Sequence, residues 1–265
     1  MMISSLPWLT INTLGGMCQL LKRLAISRKM GRDYIHSPDK NYQEKLHLIE
    51  LAKVKAYSKP EKYIFLYLDE FSFYRQPDAT FAYESKGKSQ PLALRSHRSN
   101  TKSRVIGALN ITDGRLLHKQ RSKIGIKAIS DFYQTIVDTY PSAETIFVTQ
   151  DNWPVHFHPD VLARLQPQKL PFPPNLPKTW PTKPSAKAIQ GELPIQILCL
   201  PTYASWCNPI EKLWRCLKQR ILYLHRQSDQ WTELKQRVDH FLYDFRDGSQ
   251  DLLRYTGLLP IRDGP

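Results

Sequence analysis

The chain has 265 residues, 41% of them hydrophobic, enough to bury a core in one large domain or two small ones. Its net charge is +14, from 38 Lys and Arg against 24 Asp and Glu. No apolar run approaches the roughly 18 residues that a membrane span needs, no cationic-then-apolar leader opens the sequence, and Cys18, Cys199, Cys207 and Cys216 lack paired spacing, so the expectation is a reduced cytoplasmic protein with no zinc site and no membrane partner.

In chain order, Met17 to Leu24 is a short amphipathic pattern followed by the basic Arg28 and Lys29, as in the last helix of a helix-turn-helix. Ser37-Pro38-Asp39 predicts a helix start, and Tyr42 to Ala56 carries Leu46, Ile49, Leu51 and Val54 as its apolar stripe. Tyr63 to Leu68 is a continuous apolar run ending in Asp69-Glu70. Periodicity alone does not separate a doubly buried strand from a buried helix; Tyr, Ile and Phe favour the strand. Phe71 to Pro77 predicts a second short strand or turn, and the polar, basic stretch 78–100 a loop.

Arg104 to Asn110 and Leu116 to Arg121 predict a hairpin across the Asp113-Gly114 turn. Ile126 to Tyr140 predicts a helix with Ile129, Phe132, Tyr133, Ile136 and Val137 on one face. Thr145 to Gln150 is again strand-like and again closes on an acid, Asp151. Leu165 to Pro194 holds eight prolines and predicts an irregular insert that loops out. Ile195 to Leu200 predicts a strand. Asn208 and Pro209 then suit the cap and first position of a helix whose stripe is Ile210, Leu213, Trp214, Leu217, Ile221 and Leu224. Trp231 to Phe245 predicts a last helix, with the final ten residues frayed.

The charge is clustered. Lys86, Lys88, Arg95, Arg98, Lys102 and Arg104 occur with no acid between Ser85 and Thr112, and Lys212, Arg215, Lys218, Arg220 and Arg226 with none between Glu211 and Asp229. Such blocks suit a polyanion, most simply nucleic acid phosphates, or else a solubilising surface. No internal repeat and no phosphate-cradling glycine loop is present.

Three carboxylates fall where predicted elements begin or end: Asp69, Asp151 and Glu211. Converging acids suit hard divalent cations, and two such ions about 3.5–4 Å apart can drive phosphodiester displacement. Spacing by itself leaves open whether the three converge or merely end unrelated elements. His156 reads equally as a neighbour of cations or a packed histidine, and Trp214 as sheet packing rather than a DNA contact.

Tyr67-Leu68-Asp69-Glu70, then Phe147 to Asn152 with His156, and above all Leu200 to Lys218 with its Asn208-Pro209-Ile210-Glu211 core, resemble the three signatures of the IS630/Tc1/mariner transposases, DDE-type enzymes. Leu20 to Lys29 and Ser37 to Tyr42 are similar to the region before the catalytic domain, so the resemblance covers residues 17 to 245. It implies an α/β ribonuclease-H-like fold: a mixed sheet, three antiparallel strands first, helices on both faces, after a short helical remnant. It implies a helical segment at 1–58 and a catalytic domain at 59–250 with the insert at 165–194.

Carried over, Asp69, Asp151 and Glu211 become the catalytic and metal-binding triad for two Mg²⁺ or Mn²⁺ ions. Glu70, Asn152, His156 and Asn208 become its support, and Lys22, Arg23, Arg28, Arg215 and Lys218 candidate DNA contacts. The implied partners are double-stranded DNA, as transposon inverted repeats and target, and a second copy in a homodimer, in a bacterial nucleoid-associated setting. Two departures stand out. The paired helix-turn-helix units that open family members are reduced to a remnant, and the interval from Asp151 to Glu211 is longer than usual. A catalytically decayed DNA-binding relic and a nuclease without strand transfer are the alternatives.

Overall fold

The computed structural model describes residues 13–27 and 36–259. The chain divides into two compact units, 1–36 and 37–265. In the first, α1 (Leu14–Arg23) is capped by the Thr13 hydroxyl, which accepts from the Gly16 amide at 3.1 Å. Lys22 and Arg23 lie exposed in its last turn, while Arg28 falls outside the described residues.

The second unit is built on a five-stranded sheet of order β3-β2-β1-β4-β5, with β1 (Tyr63–Tyr74), β2 (Lys102–Asn110), β3 (Leu116–Arg121), β4 (Thr145–Gln150) and β5 (Ile195–Cys199). The first three strands are antiparallel, and β4 and β5 run parallel to β1, the mixed topology that was expected. Helices cover both faces. One side packs α2 (Tyr42–Ser58), α5 (Ile210–Leu217) and α6 (Trp231–Tyr243) on Phe65, Tyr67, Phe71 and Phe73; the other packs α3 (Ile126–Thr139) and α4 (Pro159–Leu162) on Leu66, Leu68, Ile106 and Val148. Alternate residues of one strand point to opposite faces, so Asp69 falls on the α5 side with Tyr67 and Phe71, and Glu70 on the α3 side with Leu68. Among the described residues no helix is long and apolar enough to cross a membrane.

Several elements depart from the sequence reading. The stretch from Phe71 is no separate strand: β1 runs unbroken to Tyr74, paired with β2 from Leu66↔Asn110 to Tyr74↔Lys102. Beyond Glu70 it is buried on one face only, Phe71 and Phe73 inward, Ser72 and Tyr74 outward. The helix starting near Ser37 begins at Tyr42 and buries Lys45, Ile49, Ala52 and Ala56; Leu51 and Val54 are 48% and 64% exposed. Residues two apart do not share a helix face, and the small Ala52 and Ala56 let the backbone approach the sheet. This helix, grouped by sequence with the N-terminal segment, belongs to the second unit.

α5 does not carry its stripe to Leu224. A wide π turn at Lys218–Leu222 rotates the chain so that Leu222 is buried, and Leu224 leaves the helix at φ +51°, its amide donating to the Asp78 carbonyl. A further helix, α7 (Gln250–Thr256), follows the last one expected. Seven residues are too few for a periodic signal, but Ser249 caps its start and Gly257, at φ +82°, ends it.

The proline-rich segment is irregular, as expected, but it does not loop out. Gln168 donates from Nε2 to the Ile195 carbonyl at 3.2 Å and accepts from the Ile197 amide at 2.8 Å, so one side chain occupies part of the open edge of β5. All four cysteines are free thiols.

Candidate active site

Asp69 sits where β1 has outrun its parallel partner. Pairing with β4 stops at Tyr67↔Thr149, while pairing with β2 continues through Asp69↔Gly107. Asp151 follows immediately as β4 ends, and its carboxylate accepts from the Trp153 amide at 2.9 Å. Glu211 lies in the first turn of α5. The carboxyl ends of parallel strands are where open α/β sheets bind ligands.

All three acids line one cavity of about 550 Å³, together with Asn152, Asn208 and Tyr203. Asp69, Asn208 and Glu211 also line an adjoining cleft of about 660 Å³ that adds Glu70, Arg215 and Lys218. The two form one acidic trough with a basic flank. A separate cavity of about 290 Å³ between α2, β5 and the proline-rich segment carries no acid and offers nothing to a hard cation.

The tightest cluster, however, is not the triad. Among the described residues, the group of three ligand-bearing side chains that converges within 4.8 Å is Glu70, Asp151 and His156. His156, fully buried, places Nε2 3.5 Å from a carboxylate oxygen of each, an ionic contact rather than a short hydrogen bond. Burial works against a charged ring, but Glu70 and Asp151 outweigh it and raise the histidine above its ordinary value.

For Asp69 and Glu211 the surroundings disfavour the charged form. Burial first, then the charges of Glu211 and Glu70, raise Asp69 well above the usual carboxylate range, against the donors on its oxygens. Burial raises Glu211 too, assisted by Asp151 and opposed by Lys218 and Arg215. Mutually repelling carboxylates at a partly solvated cleft attract positive charge.

The remaining candidates are distributed as follows. Asn152 donates to the Leu200 carbonyl at 2.9 Å, tying the exit of β4 to that of β5. Asn208 does not cap α5 with its side chain; Pro209 holds the cap position, and the Asn208 amide group reaches across to the Leu68 carbonyl at 3.4 Å. Arg215 is exposed, and Lys218 lies over the Phe71 ring with Nζ 5.3 Å from its centroid.

Sequence reasoning missed the partner of Asp69. Trp214 is buried as expected and stacks on Phe71 at 5.5 Å, but its indole N–H also donates to Asp69 Oδ2 at 2.9 Å. Nothing in an apolar stripe announces that bond, although a glycine inside a strand, Gly107, hints at a close approach. Tyr203 was also missed: 79% exposed on the rim of the trough, it adopts a left-handed φ of +54°, which is uncommon outside glycine.

A mixed sheet with helices on both faces and acids gathered at the strand ends defines the ribonuclease-H-like class of metal-dependent phosphoryl-transfer enzymes. Within it, the chain belongs to the DDE superfamily endonucleases, whose family profile matches residues 65–235. The same fold is found in the Mos1 transposase paired-end complex with left transposon end, at TM-score 0.57 and 13% identity over 93% of this chain and 67% of that one. A pre-cleavage Mos1 transpososome matches at TM-score 0.56 and 13% identity over 92% and 66%, and the Mos1 strand transfer complex at 0.53 and 14% over 92% and 65%. The chain thus spans about two thirds of the length of these proteins. No curated protein matches it in sequence. Family and fold agree with the resemblance carried by the sequence motifs.

Proposed function

We propose that this chain cleaves and joins DNA strands as a transposase, acting on double-stranded DNA at transposon inverted repeats and in a target. The observation that carries the reading is the meeting of Asp69, Asp151 and Glu211 in one trough, with Arg215 and Lys218 beside it. The solved relatives support it, being described as paired-end and strand transfer complexes of Mos1. Two paired ends call for two catalytic chains, so the proposed assembly is a homodimer.

The donor set suits Mg²⁺ or Mn²⁺, and two ions are the proposed complement. Its ligands are hard oxygens, and Asn152 Oδ1 and Asn208 Oδ1 are buried acceptors with no hydrogen-bond donor from the protein. Asp69, Asp151 and Glu211 would hold the ions, which when bound supply the charge that makes a water or 3′-hydroxyl oxygen nucleophilic near neutral pH.

The protein supplies placement. Asp69 is fixed on the rigid centre of the sheet, and Asn152 holds the loop that carries Asp151. Arg215 and Lys218 stand ready to neutralise phosphate oxygens of the bound strand. In cleavage, the oxygen of water bonds to phosphorus, the bond to the 3′ oxygen breaks, and that oxygen leaves as a hydroxyl with the proton from water. In joining, the freed 3′-hydroxyl oxygen bonds to a target phosphorus, the target's own bond from phosphorus to its 3′ oxygen breaks, and that oxygen leaves as a hydroxyl with the proton given up by the attacking one. The overall charge of +14 implies binding that weakens steeply with salt.

The test is Mg²⁺-dependent nicking of a duplex taken from the DNA on either side of the gene. Asp69→Ala, Asp151→Ala and Glu211→Ala should each abolish it in folded protein. Full activity in any one would overturn the assignment. A pre-cut 3′ end separates the joining step: hydrolysis without joined product would leave a nuclease that does not transfer strands.

A further inference from the structure

We propose that Trp214 is a positioning residue for the Asp69 carboxylate, and that Gly107 on the neighbouring strand exists to let it reach there. The inference rests on the reading of Asp69 as a cation ligand.

In the β1–β2 register Asp69 lies directly opposite Gly107. Cross-strand partners point to the same face of a sheet, so a side chain at 107 would rise beside the carboxylate. The indole of Trp214 fills that space instead: a Cβ built on Gly107 would stand 2.7 Å from Cη2 and 3.1 Å from Cζ2 of the ring. Phe71, the next residue on this face of β1, stacks on the indole with 15° between planes, which sets its tilt. Held from both sides, the ring aims its N–H at Oδ2 of Asp69, 2.9 Å away. The other oxygen, Oδ1, accepts from the backbone amide of Glu70, also at 2.9 Å.

Each oxygen of Asp69 therefore carries one donor, and the plane of the carboxylate is set. A carboxylate has about four acceptor sites, so those not taken by the two N–H groups remain for a cation. A donor on the second oxygen of a metal-binding carboxylate fixes its orientation and so affects affinity. A phenylalanine would fill much of the same apolar space and stack on Phe71. Only tryptophan brings the donor.

The test uses the full chain without DNA. Mn²⁺ binding is measured by titration calorimetry for the wild type, Trp214→Phe, Gly107→Ala and Asp69→Ala, with thermal melting in EDTA as the measure of folding. Trp214→Phe should weaken the Asp69-dependent Mn²⁺ site about tenfold or more, by more than its small change in metal-free melting temperature accounts for. Gly107→Ala should weaken the same site by displacing the indole. In the Trp214→Phe background, where the clashing ring atoms are gone, Gly107→Ala should weaken Mn²⁺ no further. Unchanged Mn²⁺ affinity in either folded single variant would overturn the proposal. Equal Mn²⁺ binding by the wild type and Asp69→Ala would instead overturn the reading of Asp69 as a ligand, and this inference with it.

Discussion

Two aspartates in different regions of the molecule show what separates a carboxylate that holds a fold together from one proposed to hold a cation. Asp39, at the entrance to α2, accepts from Lys45 Nζ at 2.7 Å and from the amides of Thr202 and Asn41 at 2.8 and 2.9 Å. Desolvation pushes it up, but these donors outweigh that push and hold it at about 2. Asp69, in the trough, has two donors, yet burial and the neighbouring Glu211 and Glu70 drive it the other way. The residue type and the partial burial are shared. What differs is the sign of the nearby charge: an ammonium closes one site electrostatically, and two carboxylates leave the other open to a cation.

The largest effect expected from that contrast is in catalysis. Asp69→Asn and Glu211→Gln should each lower Mg²⁺-dependent nicking roughly a thousandfold or more. Because each removes a crowded charge, the metal-free melting temperature should hold or rise. Mn²⁺ should raise the melting temperature of the wild type but not of Asp69→Asn, and EDTA should reverse the rise. A drop in metal-free stability for Asp69→Asn as large as that for Asp39→Asn would break the comparison.

Asp39→Asn should do the reverse. It leaves Lys45 buried beside a neutral amide, with side-chain exposures of 7% at both partners in the native pair. Loss of about 3 kcal/mol in urea unfolding is expected, with Mn²⁺ affinity unchanged. A shift in metal binding without a shift in stability would show that Asp39 belongs to the site.

Glu70 sharpens the contrast from the opposite face of the sheet. It contacts His156 and converges with it and Asp151 more tightly than the triad acids converge with each other. Glu70→Gln should lower the cleavage rate ten- to a hundredfold, on the order of other changes just outside a metal's ligand set. If Glu70→Gln cost as much as Asp69→Asn while Glu211→Gln cost little, the cation would have to be reassigned to Glu70, Asp151 and His156.

The smallest effect is in pH. Asp39 titrates at about 2 when folded, against 3.8 for the free side chain. A lowered acid stabilises the fold above its unfolded value, and that contribution falls away as pH drops through the folded one. The Asp39 contribution to metal-free stability should fall by about 1 kcal/mol, after allowance for solvent screening, between about pH 4 and pH 2. Asp39→Asn should lose that much less over the same interval in an acid titration followed by circular dichroism.

The strands were legible because short apolar runs rich in β-favouring Tyr, Ile, Phe and Val are closed by acids or prolines. Tyr63 to Leu68, Thr145 to Gln150 and Ile195 to Cys199 all form strands of the sheet. Three separate motifs, around Asp69, Asp151 and Glu211, pointed by resemblance to three acids that line one trough. Less legible were features that depend on a distant partner. The continuation of β1 past Glu70 is held by β2, some thirty positions on along the chain. The inward face of α2 is chosen by how closely Ala52 and Ala56 approach the sheet, not by its largest side chains.

The local sequence by itself determined most element types and the α/β class, because those follow from periodicity and capping chemistry that act within a few residues, while the candidate acids came from the resemblance of three short motifs. Tertiary structure alone decided which acids are crowded and which are paired. It set Gly107 opposite Asp69, the indole of Trp214 across the gap, and Glu70 against a buried histidine on the other face. Electrostatic energy depends on separation in space and on exclusion of water, and neither can be read from positions along a chain.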